Sequence, residues 1–281
     1  MAGRTSPTFR RRRLARRLKQ LRESAGLTLE QAAPRLDKTR STLGRIEKGQ
    51  TKADVHLVRS MMDLYDERDD ALLDLAREAA QRGWWRAYGI EDLGYVDVET
   101  EASAVLEFSG LNIPGLLQTE AYARAQLRAG RRRTKEQFEN QVQVRAIRKQ
   151  RLTDDEHPLE LTVIIDEAAL TREVGGREVM GEQLRHLVQV SELARLSVQV
   201  LPFRSGTHDA MGGAFIVLEF PEPEDPDLLY VEYATGALHI EKAEEVRAAT
   251  LVFDRLRSQA LPPEDSVALI ERLAGEMSGT R

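Results

Sequence analysis

Apolar residues recur at helical spacing through the N-terminal part of the chain. Three leucines of the first predicted helix, Leu14, Leu18 and Leu21, stand at positions i, i+4 and i+7. Two short helices are predicted to begin after Thr28 and Thr39, because a threonine hydroxyl can accept a hydrogen bond from an amide in the first turn of a helix. This part is therefore predicted to be an all-α bundle. The predicted helices outside the short pair cover 11–24, 54–64 and 69–81.

Beyond residue 90 the pattern changes between helical and strand spacing. Short β-branched runs predict strands at 159–165 and 197–201, and the helical pattern between them indicates a β-α-β crossover. Two further runs, 214–220 and 228–233, flank a turn rich in Pro, Glu and Asp and predict a hairpin. The remaining predicted elements are an edge strand at 238–240 and helices at 99–108, 120–127, 135–152, 178–193, 244–259 and 264–276.

The second short helix carries side chains suited to binding DNA. Leu36, Leu43 and Ile46 supply the apolar contacts of the pair, and Gly49 ends the helix. A helix with Arg and Ser in its first turn and Arg one turn later can enter a major groove and contact base edges. An αα-hairpin with a solvated charged face would explain only part of this pattern. The outer face is left to Arg40, Ser41, Thr42 and Arg45.

Residues 39–49 read TRSTLGRIEKG, and this segment resembles the motif of a known class of DNA-binding domain. Residues 14–75 are similar to the helix-turn-helix domain of the phage-repressor and xenobiotic-response-element class of bacterial regulators, a bundle of five helices. The resemblance implies that Arg40, Ser41 and Arg45 face bases. It also implies that side chains around them face DNA phosphates, namely Thr39, Thr42, Lys48 and Lys52.

The segment departs from that class at four positions. Leu29 replaces a glutamine that usually contacts the DNA backbone, which puts that contact in question. Asp37 replaces the usual turn glycine, which is tolerable because Asp adopts the left-handed conformation more readily than most residues. Pro34 removes a helical hydrogen bond and is expected to bend or shorten the second helix. Gly44 costs about 1 kcal/mol relative to Ala and leaves room for close approach to DNA.

These patterns predict an α+β protein in two parts. An all-α, five-helix, helix-turn-helix bundle, called the head below, is expected over 1–82. A larger mixed α/β domain with a small mixed sheet, called the body, is expected over 83–281. The length of 281 residues fits two ordinary domains.

Charge is distributed unevenly along the chain. Residues 1–52 contain fifteen Lys or Arg and four acids, a net charge of +11, whereas the whole chain carries −5, so that residues 53–281 carry −16. A basic head followed by an acidic body is typical of a protein that binds nucleic-acid phosphates through its head. The arginine run before the first helix fits a solvated helix start, but we expect it to contact phosphates or to reach a minor groove as an arm. The run consists of Arg10, Arg11, Arg12 and Arg13.

Composition and missing motifs exclude several classes of function. The chain has no cysteine, so it contains no disulfide, thiolate metal site or cysteine nucleophile. It lacks the His-Glu-x-x-His zinc motif, the glycine-rich phosphate loop and the Gly-x-Ser-x-Gly nucleophile elbow, so we predict no catalytic residue, metal or cofactor, and no enzyme. No apolar run approaches the length of a transmembrane helix, and no apolar segment follows the Arg-rich start as in a secretion signal. We expect a cytoplasmic protein without membrane contact, associated with the nucleoid when bound to DNA.

Two clusters are candidates for contact with a ligand or partner. Trp84 and Trp85 lie between glycines beside the basic head, where they either join the two domains as core residues or line a groove. A loop with Arg204, His208 and Asp209 either bonds to its own backbone or contacts an acidic or phosphorylated ligand.

Four separated phrases of the body resemble one family. They are NIPGLLQTEAYA at 112–123, DEAAL at 166–170, QVLPFRSGTH at 199–208 and YVEY at 230–233. They are similar to the uncharacterised C-terminal domain that accompanies this helix-turn-helix in WhiJ-type developmental regulators of filamentous spore-forming bacteria. That resemblance implies an antitoxin-like regulator, often paired with a small protein encoded by a neighbouring gene.

Three functions remain open. The chain is a transcriptional regulator whose body senses a partner protein or ligand, an antitoxin that neutralises a small partner protein and autoregulates its operon, or a regulator gated by an enclosed small molecule. All three require a double-stranded DNA operator, and we expect a homodimer because one helix-turn-helix covers half an operator. The dimer interface is predicted beyond Trp85, in the helix at 135–152 and in the apolar faces of the last two helices: Leu251, Phe253, Leu256, Leu261, Leu269, Ile270 and Leu273.

Overall fold

The computed structural model describes residues 9–81, 83–89, 94–130 and 133–278. Contacts between residues divide the chain into two compact units, Met1–Ala87 with Asp92–Val98, and Tyr88–Glu91 with Glu99–Arg281. Each unit has its own hydrophobic core. None of the described helices is long and apolar enough to cross a lipid bilayer.

The N-terminal unit contains the bundle that the leucine spacing predicts. A cluster of buried side chains, including Leu18, Leu43 and Met61, fills its centre. The first helix begins two residues earlier than predicted, at Phe9, whose side chain is buried. The five helices are α1 (Phe9–Ser24), α2 (Leu29–Arg35), α3 (Arg40–Ile46), α4 (Val55–Tyr65) and α5 (Asp70–Ala80), and a 3-10 helix (Trp84–Tyr88) follows.

Local sequence explains the geometry of the α2–α3 pair. The hydroxyls of Thr28 and Thr39 each accept a hydrogen bond from the backbone N–H three residues further on, which confirms both as N-caps. Asp37 has a φ of 53° and so takes the left-handed conformation of a turn glycine. Pro34 lies inside α2, which ends one residue later, as expected for a helix shortened by proline.

A six-stranded mixed sheet forms the centre of the C-terminal unit. Its strands are β1 (Ala104–Ser109), β2 (Glu160–Asp166), β3 (Leu196–Leu201), β4 (Phe215–Glu219), β5 (Leu228–Tyr233) and β6 (Gly236–Ile240). Their order across the sheet is β3-β2-β1-β4-β5-β6. β1, β2 and β3 are parallel, and β4, β5 and β6 are joined antiparallel. The predicted mixed sheet, its crossover and its hairpin are therefore confirmed.

The helix predicted over 99–108 is wrong. A helix, α6, covers only Tyr95–Glu101, and β1 follows it as the strand that pairs with both β2 and β4. Val105 and Phe108 point to opposite faces of the sheet, and both are buried. A strand buried on both faces has an almost continuous apolar sequence, which periodicity cannot distinguish from a short buried helix.

Helices cover the sheet, and most of the apolar side chains predicted to form a dimer interface are buried in this packing. Phe253, Leu256, Ile270 and Leu273 are buried within the chain itself, so the prediction that they form the interface is wrong. Leu251 remains 58% exposed. The helices of this unit are α7 (Glu120–Ala129), α8 (Lys135–Lys149), α9 (Glu167–Thr171), α10 (Arg177–Val190), α11 (Ala243–Gln259) and α12 (Pro263–Ser278).

Candidate nucleic-acid interface

α3 exposes the side chains that the sequence assigns to base contacts. Leu43 and Ile46 are buried and anchor one face of α3 to the bundle. Arg40, Ser41 and Arg45 are exposed on the rest of the helix. Within the described part of the chain the Arg45 guanidinium has no hydrogen-bond or ion-pair partner, so all its donors are available to a ligand.

Arg40 is paired with an acid of the preceding helix. Its Nε donates to Glu30 Oε1, which joins α3 to α2. A hydrogen bond from its own backbone amide and then the Arg40 guanidinium lower the pKa of Glu30, so this carboxyl group is ionised at neutral pH. The side chains of Arg40 and Glu30 are 68% and 60% exposed. Because such exposed pairs are weak, Arg40 can exchange Glu30 for another partner.

The predicted phosphate contacts lie at both ends of α3. The hydroxyl oxygens of Thr39 and Thr42 are 2.9 Å apart at its first turn. Lys48 and Lys52 are exposed beyond its last turn. The motif thus brings two hydroxyls and two ammonium groups to the flanks of the exposed face, and their contact with phosphates stays a prediction.

The arginine run belongs to α1, so the expectation that these residues form an arm is wrong. Arg10–Arg13 are helical and partly buried. α1 passes close to the end of the motif at Gly49, where an added Cβ would lie 3.4 Å from Arg12 Cα. Gly49 has a φ of +67°, a conformation that favours glycine. Burial lowers the pKa of Arg11.

A buried ion pair beneath the motif was missed in the sequence. Arg22 and Glu47 are 6% and 7% exposed, and Arg22 donates to both carboxylate oxygens of Glu47, from Nε at 2.7 Å and from Nη2 at 2.9 Å. Arg22 Nη1 donates to Leu27 O at 2.7 Å. The signal was present, because Arg22 follows Leu18 by four residues and Glu47 follows Leu43 by four. Opposite charges on the apolar faces of two neighbouring helices indicate such a pair.

The two tryptophans differ in exposure. Trp85 is buried, whereas Trp84 is partly exposed, and their rings meet edge to face with centroids 5.9 Å apart. Gly83 permits this arrangement, because a Cβ at that position would overlap the Trp85 ring. The burial favours the interpretation of Trp85 as a core residue, and Trp84 stays a candidate for partner contact.

In the loop after β3, the residues predicted to contact a ligand or partner interact with different parts of the protein. His208 Nε2 lies 3.6 Å from Asp166 Oδ2, at the carboxyl end of β2. Asp209 pairs with Arg255 of α11, and Arg204 is exposed. The carboxyl ends of parallel strands are where open α/β sheets bind ligands, so the position of His208 is compatible with a ligand site.

Two family models match the chain. A helix-turn-helix domain matches residues 13–76, and a domain of unknown function (DUF5753) matches residues 93–272. The first range contains α3 with its exposed face, and the second contains the whole six-stranded sheet. Both agree with the resemblances seen in the sequence. No curated protein and no solved structure matches the chain.

Proposed function

The chain belongs to the DUF5753 family, and we propose that it is a sequence-specific transcriptional regulator. Its helix-turn-helix domain supports a DNA-binding regulator rather than an enzyme. The part over 1–82 would bind the operator, and the acidic body over 83–281 would sense a ligand or partner that controls this binding.

The exposed face of α3 is the observation that carries this proposal. Arg40, Ser41 and Arg45 lie on a helix that Leu43 and Ile46 hold against the bundle. A guanidinium can donate two parallel hydrogen bonds to the O6 and N7 atoms of guanine, which is the commonest sequence-specific contact in a major groove. The charge of +11 over residues 1–52 supplies the attraction to phosphates that any such contact requires.

Selection from a random pool of duplex DNA by the full chain tests the proposal. We expect one enriched motif, bound about 10³-fold or more tightly than random DNA at physiological salt. An Arg272→Gln variant is the control, because Arg272 lies on α12 and is paired with Glu276. It should select the same motif. No enrichment, or equal affinity for enriched and random DNA, would refute a sequence-specific regulator.

The Glu30→Gln variant is expected to bind the enriched sequence about two- to fivefold more tightly than wild type. In this variant Arg40 has no ion pair to break before it contacts the DNA. Fluorescence anisotropy measures the change. Glu67→Gln is the matched control, since it adds the same charge to the head at an exposed acid without an ion pair in the described residues. An equal gain in both variants would show that only net charge matters.

Neutralising Arg10 and Arg13 together is expected to reduce the salt dependence of DNA affinity. Each lost phosphate contact lowers the slope of log K against log salt by about 0.9, so the Arg10→Gln/Arg13→Gln variant should lose up to about 1.8. Sequence preference should be retained. Arg77→Gln serves as the control, because Arg77 is paired with Asp74 on α5. An unchanged slope in the double variant would show that these two arginines make no phosphate contact.

We further propose that the regulator binds as a two-fold dimer. Helix-turn-helix dimers contact half-sites about 34–36 Å apart, one turn of DNA. The charge of the head opposes self-association through residues 1–52, so the body is the expected source of the interface. We expect an inverted repeat in the enriched motif and a dimer in sedimentation velocity at micromolar concentration. A monomer that binds a single half-site with full affinity would contradict this arrangement.

A further inference from the structure

Among the described residues, two cations of the C-terminal unit have only neutral hydrogen-bond partners. Arg145 and Lys149 lie one turn apart on α8, and both contact Gln118. Arg145 Nη1 donates to Gln118 Oε1 and to Gln126 Oε1, the latter at 2.8 Å. Lys149 Nζ donates to Gln118 O at 3.1 Å and lies 2.7 Å from His186 Nε2. These five residues are called the Arg145 cluster below.

Four elements bring the cluster together, and hydrogen bonds between its side chains orient it. Gln118 follows the 3-10 helix Gly115–Leu117, Gln126 lies on α7, and His186 lies on α10. Gln118 is 6% exposed, and its Nε2 donates to Ile113 O at 2.7 Å and to Gln126 Oε1 at 3.1 Å. These bonds fix the amide with its oxygen towards Arg145. The guanidinium is therefore held in one position before any ligand binds, which lowers the entropy cost of binding.

Within the described residues no carboxylate hydrogen-bonds to either cation. The neighbouring Arg148 has its own acid, Glu99, with N–O distances of 2.5 and 2.6 Å. Glu232 attracts Arg145 only through space, while Arg148 repels it. Positive charge thus accumulates at the cluster, and an unneutralised cation in a partly buried position lowers stability unless something else compensates it.

The protonation states agree with an excess of positive charge. Burial, followed by the charge of Lys149, lowers the pKa of His186 to about 4, so His186 is neutral at pH 7 and accepts a hydrogen bond from Lys149. Burial also lowers the pKa of Arg145 to about 10, so its guanidinium remains charged at neutral pH, and burial lowers the pKa of Lys149. Groups perturbed in this way concentrate at binding sites.

Arg145 retains donors for a ligand. Nη1 donates to two amide oxygens, whereas Nε and Nη2 have no hydrogen-bond partner in the described part of the chain. The edge formed by Nε and Nη2 matches two oxygens of a carboxylate or a phosphate. Lys149 has a third N–H for another oxygen. Both side chains are partly exposed and can be reached from solvent.

We propose that the Arg145 cluster binds the anionic group, phosphate or carboxylate, of a small molecule. The guanidinium edge would take two oxygens, and the Lys149 ammonium a third. The inference rests on the proposed function in one respect, since it names the class of ligand that the body would sense. It also assigns a role to the phrase NIPGLLQ at 112–118, which ends at the residue that orients both cations.

Thermal unfolding of the full chain with added anion tests this inference. The probes are pyrophosphate and citrate, each compared with sodium chloride at the same ionic strength. We expect the Tm of the wild type to rise with the logarithm of the concentration of at least one probe, because a ligand that binds only the native state stabilises it. A response to pyrophosphate alone assigns a phosphate ligand, and a response to citrate alone assigns a carboxylate.

Variants separate binding at the cluster from binding elsewhere. Arg145→Gln should lose the anion-dependent rise in Tm, and Lys149→Gln should weaken it independently. Arg124→Gln is the matched control, since Arg124 is neutralised by Glu120 at 2.7 Å and Glu139 at 2.8 Å. It should keep the wild-type response, as should Arg45→Ala, which tests anion binding by the head.

Three results would overturn the inference: no rise with either probe, a full rise in both cluster variants, or an equal loss in Arg124→Gln. If Arg145→Gln fails to fold, Lys149→Gln and isothermal titration of the wild type with the same probes still show whether the cluster binds the anion. DNA selection by the same preparations distinguishes the two proposals. A missing anion response with intact DNA selection refutes only the anion site, and the reverse refutes only the regulator.

Discussion

Replacing Glu47 by alanine is expected to lower the free energy of unfolding of the N-terminal unit by about 3–5 kcal/mol. The substitution removes two hydrogen bonds and leaves the Arg22 guanidinium charged at a position that is 6% exposed. Within the described residues, the remaining partners of Arg22 are Leu27 O and the exposed Glu23. Since native domains are stable by only about 5–15 kcal/mol, the loss should be visible in urea unfolding followed by circular dichroism.

Two further variants show whether burial is the cause. Glu23 also reaches Arg22, at 3.4 Å, but its side chain is 55% exposed, so Glu23→Ala should change stability by less than about 1 kcal/mol. Replacing both members of the buried pair, as in Arg22→Met with Glu47→Leu, should recover much of the loss because no unpaired charge remains. Similar small effects of Glu47→Ala and Glu23→Ala would contradict the prediction.

The Arg45→Ala variant is expected to weaken binding to the enriched DNA sequence by about 1–3 kcal/mol and to relax its preference at one base pair. Arg45 is exposed on α3 and forms no ion pair with the described residues, so it loses nothing within the protein when it binds a base. Arg40→Ala should have a smaller effect, since Arg40 must first leave Glu30.

Titrations with three duplexes distinguish base contacts from phosphate contacts: the enriched sequence, its single-base variants and random DNA. Arg35→Ala is the control, because Arg35 is an exposed arginine of the same motif but ends α2 rather than lying on α3. It should weaken binding to all three duplexes alike. An equal loss on enriched and random DNA in Arg45→Ala would identify Arg45 as a phosphate contact.

The head could be predicted almost completely from its sequence, because its determinants are local. Caps at Thr28 and Thr39, the turn at Asp37 and the leucine spacing of α1 all act within a few residues. The exposed face of α3 follows from the same periodicity. The partial burial of the arginine run was not predictable in this way. The helix predicted from residue 11 already included Arg11, Arg12 and Arg13, but how far their side chains are buried depends on the packing of α1 in the bundle.

In the body, local alternation identified β2, β3, the hairpin and the edge strand, but it did not identify the centre of the sheet. β1 pairs with residues far along the chain, Ala104 with Glu160 on one side and with Glu219 on the other. The apolar sequence of β1 indicates that the segment is buried, but it does not identify the elements that pack around it. The apolar faces of α11 and α12 were ambiguous for the same reason. Each face must pack against another surface, and the sequence does not identify that surface.

The helix-turn-helix, the uneven charge of the head and the body, and most of the secondary structure follow from the amino-acid sequence alone, because these features depend on neighbouring residues and on composition. Which charged side chains contact each other depends instead on how the chain folds. Arg22 and Glu47, 25 residues apart, form a buried pair, whereas Arg145 and Lys149 converge on Gln118, 27 and 31 residues earlier, without a carboxylate in the described part of the chain. The interaction of two charged groups depends on their distance and surroundings in space, and folding alone sets both.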